Sequence, residues 1–184
     1  MHLIKLEEAG KNYLNRTFCL EINPKDFILV SGENGHGKTT LIQLILGFIS
    51  PDKGFVKGRK LKIGYLPEKA MLPLFIKVYV YLETLAKLKK TRLDLELIHA
   101  FNLPIFKSIH ELSKGNQQKL AIVSTFVGNP DLIILDEPLS GLDYESTLIL
   151  KKYIEKKKDE GMSFMISTHQ PELFKELASK HLEL

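Results

Sequence analysis

Eight consecutive residues constrain this chain more than any others: Gly32-Glu33-Asn34-Gly35-His36-Gly37-Lys38-Thr39. They follow a continuous apolar run, Phe27 to Val30, and precede a stretch with helical spacing, Thr39 to Phe48. A short apolar run bounded by turns suits a strand buried on both faces of a parallel sheet, and Asn23 to Asp26 supplies the turn before it. The octapeptide fits G-x-x-x-x-G-K-[ST] in full, in the strand-then-helix setting that gives the pattern its meaning. Glycine permits positive φ and close approach of backbone to ligand. Successive N–H groups then face one concavity with a helix N-terminus behind them, a cradle for phosphate oxygens. Lys38 would reach the β- and γ-phosphates, and the Thr39 hydroxyl would hold Mg²⁺. The expected ligand is a nucleoside phosphate. The loop alone does not choose among kinases, GTPases, motor ATPases and transport ATPases.

The remaining pattern is read around that loop. Leu3, Ile4 and Leu6, then Thr17 to Ile22, and later Lys60 to Leu66 are strand candidates, while Ser50 to Gly54 reads as a turn closing the first helix. From Glu68 to about Glu111 the apolar residues Leu82, Leu85, Ala86, Leu88, Leu93, Leu97, Ile98 and Phe101 recur at helical spacing, which predicts an inserted helical subdomain. The last third predicts a helix over Gly115 to Val127, a strand over Leu132 to Leu135 and a helix over Glu145 to Glu160. A strand over Ser163 to Ile166 and a helix over Pro171 to Ser179 follow. Such alternation is the mark of a parallel sheet with helices on its faces. The lysines at 151, 152 and 156 to 158 are expected to form a solvated helix face.

Composition narrows the setting. With 184 residues and 44% hydrophobic content the chain can bury a core, and one domain is expected. Lys and Arg total 26 against 22 Asp and Glu, a net +4 that permits an anionic ligand without marking a nucleic-acid binder. Cys19 stands alone, which argues against a disulfide framework and suits a reducing cytosol. The start lacks the pattern of a signal peptide, and runs such as Leu41 to Ile49 are too short to span a membrane. A membrane role would therefore need a partner.

Two further strand tips carry chemistry. Leu132 to Leu135 ends in Asp136-Glu137-Pro138. A strand tip of such a sheet opens onto the ligand crevice, so Asp136 can reach Mg²⁺ directly or through water. Glu137 would then polarise the attacking water as general base. Ser167-Thr168-His169 ends the next strand, where His169 would hydrogen-bond the γ-phosphate and sense its loss. Leu112-Ser113-Lys114-Gly115-Asn116-Gln117 opens a helix, and on its own is no more than an N-cap.

Taken in order, these elements resemble the nucleotide-binding domain of ABC-type ATPases over residues 1 to about 170. Leu112-Ser113-Lys114-Gly115 looks like that family's signature motif, with Ser113 lying 23 residues before Asp136. Ser140-Gly141-Leu142-Asp143 looks like its D-loop, Tyr13 like its adenine-stacking aromatic residue and His169 like its switch histidine. The resemblance implies an α/β fold: a P-loop NTPase core with a mainly parallel sheet, an N-terminal antiparallel β subdomain and an inserted α-helical subdomain. A single domain is expected, with catalytic core at 1–68 and 113–184 and helices at about 69–112. ATP and Mg²⁺ are the implied cofactors. Nucleotide contacts would come from Tyr13, Gly32, Asn34, Gly35, Gly37, Lys38, Thr39 and Thr40, with catalysis by Glu137, His169 and Lys38, and metal held by Thr39, Asp136 and Glu68.

The resemblance further implies a head-to-tail homodimer. Ser113 and Gly115 would meet the γ-phosphate bound by the other protomer, and Asp143 would lie across the interface. Closure on ATP and opening on hydrolysis would be the working cycle. The expected setting is the cytoplasmic face of a membrane, on a separate integral-membrane permease, with no nucleic acid. The permease would dock near Pro67 to Leu85, including Met71, Leu72, Phe75, Tyr79 and Tyr81. Departures from the family pattern are Glu68 where many members have glutamine, Lys114 for a glycine and Asn116 for a glutamine. The short form, with Glu68 after Tyr65-Leu66-Pro67, resembles small exporters, and the last strand is expected to be weakly held. A soluble ABC ATPase is the alternative.

Overall fold

The computed structural model describes residues 2–33 and 35–184. Alternation along three strands decides how its layers stack. β3 (Phe27–Ser31), β6 (Leu132–Asp136) and β7 (Ser163–Ser167) are buried at every position, as parallel strands covered on both faces must be. Phe27, Leu29, Ile133, Leu135, Phe164 and Ile166 enter one core, while Ile28, Val30, Leu132, Ile134 and Met165 enter the other. Period-two side chains thus build two cores from one sheet.

The sheet runs β5 (Ile63–Leu66), β6, β7, β3, β8 (Lys180–Glu183), parallel at every pairing. On one face lie α2 (Val78–Leu88), α3 (Glu96–Ala100), α4 (Lys114–Phe126) and α5 (Tyr144–Asp159), which contribute Leu82, Leu97, Leu120 and Ile154 to its core. The other face holds α1 (Lys38–Leu46) and a three-stranded antiparallel sheet. That sheet is ordered β2 (Phe18–Ile22), β1 (Ile4–Gly10), β4 (Lys53–Gly58). The α/β class, with a parallel core sheet, an N-terminal antiparallel sheet and helices between β5 and β6, is the one expected.

Two elements differ from the sequence reading. The turn expected at Ser50 to Gly54 leads directly into β4, which pairs with β1 from Ile4–Gly58 to Gly10–Lys53. β4 is an edge strand exposed at nearly every position, so no apolar alternation announces it. Pro171 to Ser179 forms no α-helix but two separate 3₁₀ turns, Pro171–Leu173 and Lys175–Leu177. The segment must seat Phe174 against Phe27, with ring centroids 6.2 Å apart, and still bring Ser179 to the start of β3, where its N–H meets the Phe27 carbonyl at 2.8 Å. A continuous helix would not turn back in that length. The strand expected to be weakly held is β8, and it pairs with β3 from Ile28–Lys180 to Ser31–Glu183.

Candidate active site

Parallel strands point all their C-terminal ends one way, and such ends open onto the ligand crevice. Here the ends of β3, β5, β6 and β7 carry the phosphate loop, Glu68, the Asp136–Glu137 pair and His169 in turn. A cavity of about 380 Å³ lies at this edge, lined by Tyr13, Leu14, Glu33, Gly35, Gly37, Lys38, Thr39, Thr40, Glu68 and Asp136. Asn34, expected in the loop, lies outside the described residues.

The loop's glycines have visible reasons. Gly37 caps α1 with φ 100, a conformation that strains any side chain, and a Cβ there would stand 3.2 Å from the Phe18 ring. At Gly32 a Cβ would meet the Leu184 carbonyl oxygen at 2.3 Å, because β8 passes against the loop. Lys38 is buried, and its ammonium donates to the carbonyls of Gly32 at 2.6 Å and Glu33 at 3.1 Å. A buried ammonium curled over a ring of backbone groups is placed to meet an anion.

Asp136 is 3% exposed and accepts a hydrogen bond from the Ser167 hydroxyl. Burial pushes its carboxyl above the ordinary carboxylate range; the Ser167 bond opposes this, Glu68 adds to it and Lys38 opposes it. Glu137 sits at φ 50, a left-handed conformation uncommon outside glycine. Its N–H donates to the Ser167 carbonyl at 3.1 Å and Ser167 Oγ at 3.2 Å. Its Oε2 accepts the His169 N–H at 3.3 Å. Oε1 is 3.3 Å from His169 Nε2 but without hydrogen-bond alignment, and among the described residues no other group satisfies this solvent-excluded oxygen. A carboxylate oxygen so placed can accept a proton from a water entering the crevice.

The residues fit a hard divalent cation. Thr39 and Asp136 share the cavity with Glu68, and all three offer oxygen. Among the described residues no three His, Cys, Asp or Glu side chains converge closely enough to hold a metal by themselves. That suits Mg²⁺, which takes one or two carboxylates and completes its shell with phosphates and water.

Ser113, Gly115 and Asp143 are not among the described residues lining the cavity. Ser113 caps α4, accepting the Asn116 N–H at 3.2 Å. Asp143 caps α5, accepting the Ser146 N–H at 2.7 Å, and lies 3.7 Å from the Lys119 ammonium. These groups stay close to one another: a Cβ on Gly115 would stand 3.1 Å from the Gly141 carbonyl, and Gln118 Nε2 donates to the Pro138 carbonyl at 3.2 Å. Sequence reasoning missed Ser167 and β8 as parts of the site. Ser167 stood in the Ser-Thr-His tip already singled out, but only its register opposite Asp136 reveals its role.

Fold and strand tips together define a P-loop nucleotide-binding protein. More narrowly, the chain belongs to the ABC transporter family, whose sequence profile matches residues 16–140. It is 39% identical to the ABC transporter ATP-binding protein YhaQ of Bacillus subtilis, over 86% of this chain and 58% of that protein. It is 38% identical to the ABC transporter ATP-binding protein MJ1023 of Methanocaldococcus jannaschii, over 98% and 73% respectively. The zinc import ATP-binding protein ZnuC of Wigglesworthia glossinidia brevipalpis is 34% identical over 80% of this chain and 65% of its own length. The chain thus spans between about three fifths and three quarters of these relatives. Among solved structures, an ATP-binding subunit of an ABC transporter superposes with TM-score 0.87 over 99% of this chain and 85% of its own, at 24% identity. An RNase-L inhibitor does so with TM-score 0.86 over 99% and 37%, at 23% identity. Those two likenesses speak for the fold alone.

Proposed function

We propose that this chain is the ATP-binding and ATP-hydrolysing subunit of an ABC transporter, working with a second copy of itself and a separate membrane permease. The observation that carries the reading is the convergence at one sheet edge of the buried Lys38, the Asp136–Ser167 pair and the Glu137–His169 pair. In this reading the phosphate loop and Lys38 hold the β- and γ-phosphates of ATP, Tyr13 stacks on adenine, and Thr39, Asp136 and Glu68 hold Mg²⁺. Glu137 takes a proton from the attacking water, and His169 reports the γ-phosphate. The single domain divides into a catalytic core at 1–68 and 113–184 and a helical part at about 69–112.

Two features support the partners. Ser113, Gly115 and Asp143 sit together away from the cavity lining, which suits a site completed by the partner's phosphate loop. Among the described residues no helix is long and apolar enough to cross a membrane, while Met71 and Phe75 are 97% and 87% exposed, and Tyr79 and Phe106, also exposed, lie with ring centroids 6.1 Å apart. Exposed methionine and aromatic side chains in one region suit docking against another protein. Attachment at a cytoplasmic membrane face follows from that partnership. Export, rather than import, is the direction we infer from Glu68 after Tyr65-Leu66-Pro67.

Glu137→Gln tests the reading. With ATP and Mg²⁺ the variant is expected to elute as a dimer on a sizing column while the unaltered protein returns to monomer. A variant that stays monomeric overturns the hydrolytic mechanism. Recovery of a multi-spanning protein with this chain from mild detergent supports transport, whereas recovery only with soluble complexes favours a soluble ABC ATPase.

A further inference from the structure

Parallel strands that end together at one crevice also begin together at the opposite edge of the sheet, and there the surface is basic. Lys62 stands just before β5, and the turn from Val127 to Asp131 joins α4 to β6. A cavity of about 250 Å³ borders both, with Ile63, Val127, Gly128 and Pro130 as its apolar lining and Lys62 and Lys89 beside them. The fold fixes Lys89: its stem lies over Gly128, where a Cβ would stand 2.7 Å from Cδ, and its ammonium donates to the Val127 carbonyl at 2.9 Å. Burial lowers the pKa of that ammonium, and no described carboxylate opposes the shift. Arg92 meets the same turn, lining a small cleft with Val127 and Asn129. Lys60 and Lys90, close by in the chain, are exposed, as are Leu88 and Leu95. Opposing charge is limited. Asp131 accepts the Lys62 N–H at 2.8 Å, and Asp94 is held by Lys157 and the Tyr153 hydroxyl. The C-terminal ends of α2 and α4 also lie here, each worth about half a negative charge. Counted in full, these leave the five cations an excess of about two positive charges.

We propose that this basic edge is a docking surface for an acidic peptide segment of another protein, which seats an apolar side chain in the cavity and sets carboxylates against Lys62, Lys89 and Arg92. Charge complementarity gives the sign of the partner. The cavity gives its kind. It is concave with an apolar floor, which suits an inserted side chain rather than the face of a bilayer, and its described lining holds no aromatic ring on which a nucleic-acid base could stack. A carboxylate would also compensate the partly desolvated Lys89 ammonium, whose donors are only partly used by Val127. The strands that begin at this edge carry Asp136 and His169 beyond their other ends, so a docked segment leaves the nucleotide cavity open. The inference does not depend on what that cavity binds.

Fluorescence anisotropy of the intact protein tests it with a labelled glutamate-rich peptide carrying a central Leu-Phe pair. The unaltered protein is expected to bind this peptide saturably, and less tightly as salt is raised. Lys62→Glu and Arg92→Glu, both at exposed positions, are together expected to weaken binding about tenfold. Lys152→Glu, at an exposed lysine of α5 outside the cavity, is expected to change it by less than about twofold. Serines in place of the Leu-Phe pair are expected to weaken binding as well. An equal loss in Lys152→Glu would reduce the effect to bulk charge and overturn the proposal, as would a serine peptide that binds as tightly as the apolar one. Tighter binding of phosphatidylserine vesicles or of oligouridylate, lost in the same Lys62 and Arg92 variants, would replace the peptide by a membrane or an RNA. Absence of saturable peptide binding overturns the docking surface itself.

Discussion

Ser167 serves both acids of the site with one residue. Its hydroxyl donates to Asp136 Oδ1 and accepts the Glu137 N–H, and its carbonyl accepts that same N–H. This double hold is what keeps Glu137 at φ 50, a conformation that persists only where surroundings over-determine it. Ser167→Ala leaves Asp136 buried without its donor, so unfolding in urea is expected to show a loss of about 1–2 kcal/mol. ATP turnover is expected to fall with it, since both acids lose their positioning, while ATP binding to the phosphate loop persists. Unchanged turnover in a destabilised variant would mean that Ser167 is structural only. The acids themselves were legible, because a buried run ending in Asp-Glu-Pro stands out in any reading. Ser167 was not, because its role exists only once Asp136 and Ser167 lie opposite each other in the sheet. Lys38 sat between these extremes: its place in the loop was plain, its burial against Gly32 and Glu33 was not.

Elements with strong periodicity were readable in their own residues, and those placed by ladders to strands distant in sequence were less so. β3, β6 and β7, buried at every position, announced themselves as apolar runs. β4, exposed at nearly every position, and β8, exposed or half-exposed, carry charged residues and owe their places to partners distant in sequence. β8 is fastened at its start by Asp26, which accepts from the Lys180 ammonium at 2.6 Å, the Asn23 N–H at 2.7 Å and the Ser179 hydroxyl at 3.3 Å. Burial works against the Asp26 charge, yet Lys180, Asn23 and Ser179 outweigh it and hold the carboxyl below its ordinary value. A carboxylate with a depressed folded-state pKa stabilises the fold above its unfolded-state pKa, and that stability is lost as pH falls through the folded value. Asp26→Asn is therefore expected to cost about 1–2 kcal/mol at neutral pH, and its deficit is expected to shrink as pH is lowered below the ordinary aspartate range. Thermal melts across that range measure both. A deficit that does not change with pH would mean that the carboxylate's charge plays no part in fastening β8.

Across the whole molecule, the stretch between β5 and α4 is joined to the sheet by more than its apolar face. The lysines of α5, expected to form a solvated face, are none of them buried, and two of them also pair with that stretch: Lys156, still half-exposed, pairs with Glu96 at 2.5 Å and Lys157 lies 3.2 Å from Asp94. Tyr153, buried on α5 and packed edge-on against Phe126, donates its hydroxyl to Asp94 Oδ2 at 2.9 Å. Burial first, then the bond to Asp94, pushes the phenol's pKa above its ordinary range, so the group remains a donor at any physiological pH. α3 begins at Glu96 beside this contact and packs on α4, whose N-cap is Ser113. The polar contact therefore links α5, which follows the Asp136–Glu137 tip, to the helix that opens at Ser113. Tyr153→Phe keeps the ring against Phe126 and removes only the hydroxyl, with an expected cost of about 1 kcal/mol. Hydrogen exchange locates the effect: amides of α3 are expected to exchange faster while those of β6 and β7 keep their protection. Equal acceleration in the sheet would show that Tyr153 supports the core as a whole, and unchanged exchange in α3 would show that the apolar contacts of Leu97 and Ile98 suffice to hold it.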